Sequence, residues 1–361
     1  MALPSTMKAL VCAEPGQPME LQTVPTPLPT HGSVVIKVLA ASVDPALRHI
    51  LSGTFFTFPK NLVPGSRAIG RIAAVGPDTT SLAEGQLVTI EPFIRARDDP
   101  DVQILWGTFD GPTSASKKFM ADNWSVASYA EYCRAPLENC YALNENVLCR
   151  ELGYSYEDLL SLSKQIVAYG GFRGINLQAG ETVIVSPATG MFSGAAVQVA
   201  VAMGARVIAY SRNTDGIPQL PGVVTVVNTG DAEKDTAALK QFGPVDAYLD
   251  ISPAQAANSN HFRSAIMAVR PYGRVSLMGV IPRDIPVSYA HVAWNNLTIR
   301  GQYMYERQDM RSLIKLAETG KLPLGVDVTG RFTLEEHEKA VDVSREAATF
   351  VHSIPPADGR L

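Results

Sequence analysis

The sequence predicts an α/β protein: a β-rich, barrel-like first part followed by a doubly wound parallel sheet. Two textures predict it. From Met7 to about Pro136 the apolar residues come in short runs cut by Pro and Gly. After about Ser161, near-continuous apolar strands alternate with helical stretches, the pattern of strands buried on both faces. The length of 361 residues is also more than one small core accommodates, so two domains are expected.

In the first part, Met7–Cys12, Val34–Leu39, Ala68–Val75 and Gln86–Ile90 read as strands. Turn signals separate them at Pro25 to Gly32, Pro64–Gly65 and Gly76–Asp78. Arg95 to Ser125 is polar and too long for a plain loop in a compact domain, and Ser116–Asn123 predicts a short helix within it. In the second part, the strands are Thr182–Ser186, Arg206–Ser211, Val223–Asn228, Val245–Ile251 and Arg274–Gly279, with an Ala/Val-rich helix over Gly194–Met203. The tail predicts a helix over Phe332–Ala348 and a last strand over Thr349–Ile354 that returns to the first part.

Hydrophobic residues make up 46% and charged residues 18%, with a formal net charge of -4. That balance, without basic runs, argues against nucleic acid or an anionic membrane as partner. No apolar run reaches the ~18 residues of a membrane span. Cys12, Cys133, Cys140 and Cys149 form no CxxC pair, and no secretory signal opens the chain. Reduced thiols and a cytoplasmic location are expected, with Cys133 and Cys140 as core residues.

Between the strand Thr182–Ser186 and its helix lies Pro187–Ala188–Thr189–Gly190–Met191–Phe192, a turn of small residues suited to pyrophosphate at a helix N-terminus. A strict GxGxxG is absent. The next strand ends where the ribose-reading residue belongs and offers Ser211 and Arg212 but no acid. Ser plus Arg suits a 2′-phosphate, so NADP(H) is expected over NAD(H); a plain surface arginine is the alternative. Gly279 and Val280, at a carboxyl strand end, are candidate nicotinamide contacts.

Together these segments resemble the medium-chain dehydrogenase/reductase superfamily, in particular its zinc-free quinone/enoyl reductase-like branch, and are also similar to fungal relatives called alcohol dehydrogenases. The matching pieces run in family order and include Met7–Leu10, Ala40–Pro45, Pro64–Ser66, Ala73–Gly76, Glu84–Val88, Ser128–Tyr132, Gly180–Val185, Gly204–Val207 and Gly273–Gly279. The resemblance implies a GroES-like catalytic domain over 1–164, a Rossmann NADP(H)-binding domain over 165–305, and a return to the catalytic domain over 306–361. It also implies a cleft where nicotinamide meets substrate, and it permits a homodimer through the edge strand near Leu297 to Met304.

At the positions where zinc relatives carry ligands, this chain has Asp44, Ser66 beside Arg67, and Ser163. One carboxylate and two hydroxyls do not make a tetrahedral zinc site, so no metal is expected. Asp44 and His49 share one short segment that faces the cleft in the family. His49 is the candidate proton donor or relay, and Asp44 the residue that orients ribose, substrate or His49. Alternatively, Asp44 caps the short helix begun by Pro45 and His49 is a helix-surface residue. Tyr303 is a third candidate catalytic residue. With Phe55, Phe56, Trp106 and Trp294 it suggests a pocket for a hydrophobic, aromatic or polyketide-like small molecule, core packing being the competing explanation. The expected activity is NADPH-dependent, metal-free reduction of an activated C=C bond (enone, enoyl or quinone) or a carbonyl. Two other classes stay open: a non-redox isomerase or cyclase using Asp44 and His49, and a nucleotide-binding sensor.

Overall fold

Strands such as Thr182–Ser186 are apolar and buried along their whole length, which a sheet covered on both faces requires. The computed structural model describes residues 2–54, 56–325, 330–347 and 351–353. It divides into two units: Met1–Ser163 with Leu324–Leu361, and Lys164–Pro323. The return to the first unit therefore comes at Leu324 rather than at 306, because the amphipathic helix Arg307–Glu318 belongs to the second unit.

The second unit is built on a six-stranded parallel sheet. Its order is Val223–Val227, Arg206–Ser211, Thr182–Ser186, Val245–Asp250, Val269–Leu277 and Thr298–Gly301. The chain runs outward from Thr182–Ser186 in one direction, then crosses to Val245–Asp250 on its other side. That reversal puts a switch point, the usual place for a ligand, between Ser186 and Asp250. Thr298–Gly301 closes the order as a largely exposed edge strand. Two elements begin earlier than the sequence suggests. The helix over Gly194–Met203 is observed as Met191–Ala202, because the Ser193 hydroxyl accepts the Gly190 N–H at 2.8 Å and starts the helix there. The strand Val269–Leu277 runs through Pro271 and Gly273, which read as breakers. Its register slips between Val245 and Ala247 on the neighbouring strand, and this irregularity absorbs them.

The first unit is antiparallel and β-rich. Ser33–Val43 pairs with Ala68–Val75, Tyr132–Pro136 and Val351–Ser353, and the sheet continues through Leu87–Ile90 to Cys140–Ala142. The polar 95–125 segment is structured: a hairpin of Phe93–Arg95 with Gln103–Leu105 precedes the helix Ser114–Asn123. Thr113 and Ser116 start that helix with a reciprocal capping box. Toward the tail, Arg331–Phe332 is a strand and Leu334–Glu336 a 3-10 turn, so the helix begins only at His337 and runs to Ala347. Ala348 to Phe350 and Ile354 lie outside the described residues. Among the described residues, no helix is long and apolar enough to cross a membrane.

Candidate functional site

The carboxyl edge of the sheet in the second unit is made by the ends of four adjacent strands. At about 4.8 Å between strands, the row from Ser211 to Gly279 extends about 14 Å. Ser211 is buried, and its hydroxyl lies 3.0 Å from the Thr189 hydroxyl, which joins that end of the row to the turn Pro187–Phe192. Arg212, next to Ser211, is exposed, and its side chain has no protein partner among the described residues. In the turn itself, Thr189 and Gly190 are exposed, Pro187, Met191 and Phe192 are half-buried, and Ala188 is packed inside. The turn opens the 12-residue helix Met191–Ala202, whose first N–H groups and dipole favour an anion.

At the other end of the row, Gly279 and Val280 are exposed. Their backbone is locked to the preceding strand end: the Met278 N–H donates to the Asp250 carbonyl at 2.8 Å, and Val280 N–H to the Ser252 carbonyl at 2.9 Å. A Cβ at Gly279 would stand 2.7 Å from the Ser252 oxygen and 2.8 Å from its nitrogen, so this approach needs glycine. A buried polar group beneath the row, Tyr248, Asp250, Ser252 and His261, escaped the sequence reading. Asp250 at the end of an apolar strand was the available signal. His261 carries no signal in the sequence, because its link to Asp250 spans a loop and a helix start.

In the first unit, Asp44 forms an ion pair with Arg67, the neighbour of Ser66. Arg67 Nη1 lies 3.5 Å from Asp44 Oδ2, with side chains only 9% and 19% exposed. Strand pairing brings them together: the Ser42 N–H donates to the Arg67 carbonyl at 3.2 Å. Tyr129, also buried, donates its hydroxyl to the Ser42 carbonyl at 2.9 Å. Burial holds that hydroxyl well above its ordinary pKa, the Asp44 charge adding to the rise and Arg67 opposing it. Asp44 Oδ1 accepts the Ala46 N–H at 2.8 Å. This is a turn contact, not a helix cap, since the helix Leu47–Leu51 takes Ala46 as its N-cap and no side chain caps it.

Ser66 and Ser163 are buried, and the Ser163 hydroxyl is turned to the Leu160 carbonyl at 2.7 Å. All four cysteines are free, and Cys133 and Cys140 lie in the core. Among the described residues, no three His, Cys, Asp or Glu side chains converge as a metal set. An Asp44 carboxylate already engaged by a guanidinium, with two hydroxyls, does not fit zinc.

His49 is exposed on the helix Leu47–Leu51. One of the aromatic candidates is not available to line a pocket. Trp106 is fully buried in the core of the first unit, and Phe56 packs on Phe109 with ring centroids 4.8 Å apart. Trp294 is 84% and Tyr303 54% exposed on the second unit, while Phe55 lies outside the described residues. Packing of a large indole won over lining a pocket.

Two family models match the chain in order: the alcohol dehydrogenase GroES-like domain over residues 30–145 and the zinc-binding dehydrogenase domain over 193–319. An alcohol dehydrogenase of Moraxella sp. is 27% identical over 320 residues, covering 88% of this chain and 90% of the relative. An NAD-dependent alcohol dehydrogenase of Sulfurisphaera tokodaii is 25% identical over 358 residues, with 93% and 96% covered. The solved structure of an alcohol dehydrogenase from Thermus sp. ATN1 superposes with a TM-score of 0.79 at 22% identity, over 97% of this chain and all of that one. With the GroES-like unit, the parallel-sheet unit and both domain matches in family order, the chain belongs to the medium-chain dehydrogenase/reductase superfamily of pyridine-nucleotide-dependent oxidoreductases.

Proposed function

We propose that the protein is an NADPH-dependent, metal-free reductase of an activated C=C bond or carbonyl in a hydrophobic small molecule. The observation that carries this reading is the ribose end of the nucleotide edge. Ser211 is tied to Thr189, and beside it stands an exposed arginine with no acid to hold a 2′-hydroxyl. A relative named as NAD-dependent weighs toward the unphosphorylated nucleotide. Against that stands the side-chain chemistry of Ser211 and Arg212, which is suited to a phosphate.

The turn Pro187–Phe192 would hold the pyrophosphate, and Gly279 and Val280 the nicotinamide, which supplies a hydride when bound. On the first unit, Asp44 and Arg67, the neighbour of Ser66, set a fixed pair of charges. The Arg67 guanidinium can donate N–H groups to an oxygen that gains charge, while Asp44 fixes its orientation. His49, exposed on its helix, is the candidate proton donor or relay, and Tyr303 is kept as a second donor. Thr298–Gly301, an exposed edge strand, is suited to pairing with a second copy in a homodimer, and a cytoplasmic setting accords with free cysteines.

Fluorescence titration with NADPH and NADH tests the reading. NADPH should bind more tightly, and Arg212→Ala should weaken NADPH by about 10- to 100-fold, the loss of one charge-assisted contact of ~1.5–3 kcal/mol, with NADH little changed. Equal loss for both nucleotides, or tighter NADH binding by the unmodified protein, would overturn the cofactor assignment. Binding of neither would move the search to non-redox chemistry at Asp44 and His49.

A further inference from the structure

Three buried side chains converge on the Asp250 carboxylate at the end of the strand Val245–Asp250. The Tyr248 hydroxyl donates to Asp250 Oδ2 at 2.7 Å, and the Ser252 hydroxyl lies 3.1 Å from the same oxygen. The Ser252 N–H donates to Oδ1 at 3.1 Å. His261 Nε2 stands 2.7 Å from Ser252 Oγ and 3.2 Å from Asp250 Oδ2. None of the four residues is more than 4% exposed. A carboxylate so buried is tolerable only when its lone pairs are filled. With the proton on Nε2, His261 donates to Ser252 Oγ, and the serine hydroxyl is free to donate onward to Asp250.

The chain of bonds continues outward. Ser252 accepts the Val280 N–H, and Gly279 rests against the backbone of Ser252 with room for no side chain. The histidine is thus connected, through one serine, to the exposed Gly279–Val280 backbone. A fully satisfied network of this kind holds one geometry, whereas a partly satisfied one does not.

We propose that His261 is a positioning residue: through Ser252 and Asp250 it fixes the Gly279–Val280 backbone in the register that receives the nicotinamide. This rests on the nucleotide assignment above and adds to it the residue that orders the reactive end of the cofactor.

The experiment compares two probes that share the adenosine end: NADPH, and adenosine 2′,5′-bisphosphate, which has no nicotinamide. In His261→Leu, affinity for the bisphosphate should stay within about twofold. Affinity for NADPH should fall about tenfold, and the enhanced emission of bound nicotinamide should be lost. His261→Gln places an amide nitrogen near the Nε2 position and should restore most of both. Ser252→Ala, which removes a single oxygen, should reproduce the leucine phenotype and decides the matter if His261→Leu does not fold. Unchanged NADPH affinity and emission in folded His261→Leu, or in Ser252→Ala, would overturn the inference while leaving the nucleotide assignment intact. Failure of the unmodified protein to bind either probe would instead overturn the assignment itself.

Discussion

Neutralising Arg67 by Arg67→Met should destabilise the first unit, and the size of the loss follows from the ion pair. At 3.5 Å two unit charges attract by about 5 kcal/mol at an effective dielectric of 20 and about 1 kcal/mol in bulk water. Asp44 keeps a water-facing edge, with its side chain 19% exposed, so a coupling of roughly 2 kcal/mol between the two residues is expected. Each single substitution, Arg67→Met or Asp44→Asn, leaves one charge without its partner and should cost roughly 2–4 kcal/mol. The double variant should cost less than their sum by the coupling energy. Trp106 and Trp124 lie in the first unit, Trp106 fully buried, and Trp294 is exposed in the second. Urea unfolding followed by tryptophan emission therefore reports mainly on the first unit. A measured coupling below about 0.5 kcal/mol would refute the argument that Asp44 and Arg67 form a fixed pair.

Two further outcomes follow from the same structure. Purified protein should hold well under one equivalent of zinc, and chelation should leave nucleotide binding and reduction of enones or quinones unchanged; stoichiometric zinc whose removal abolishes turnover would refute the metal-free reading. Lys164 is buried at the start of the second unit, and burial lowers its pKa from 10.5 to about 8. The unfolded chain then holds more protons between pH 8 and 10.5, so this residue makes stability rise with pH across that window, and its full penalty applies below it. Lys164→Met should raise stability at neutral pH, by up to about 3 kcal/mol for a shift of this size, and flatten the alkaline rise in thermal scans; a variant less stable than the parent at pH 7 would show that the ammonium is more than compensated by its surroundings.

What the sequence by itself determined is the local and periodic part of this protein. The strands Thr182–Ser186, Arg206–Ser211 and Ala68–Val75 were legible to the residue, because burial on one or both faces writes itself into consecutive side chains. The turn Pro187–Phe192 and the pair Ser211 and Arg212 stand out as candidates for a similar reason: each sits at a fixed distance from a readable strand end. Tertiary structure decided the rest. Asp44 meets Arg67 only because two antiparallel strands align residues 23 apart in the chain, and a register is a property of the pair, not of either strand. Trp106, read as a pocket aromatic, was drawn into the core, a choice set by the volume around it. His261 reaches Asp250 and Ser252 through a loop and a helix whose path no periodicity records. Patterns along a chain report which face of an element is buried; which partner waits on that face is fixed only when the elements pack.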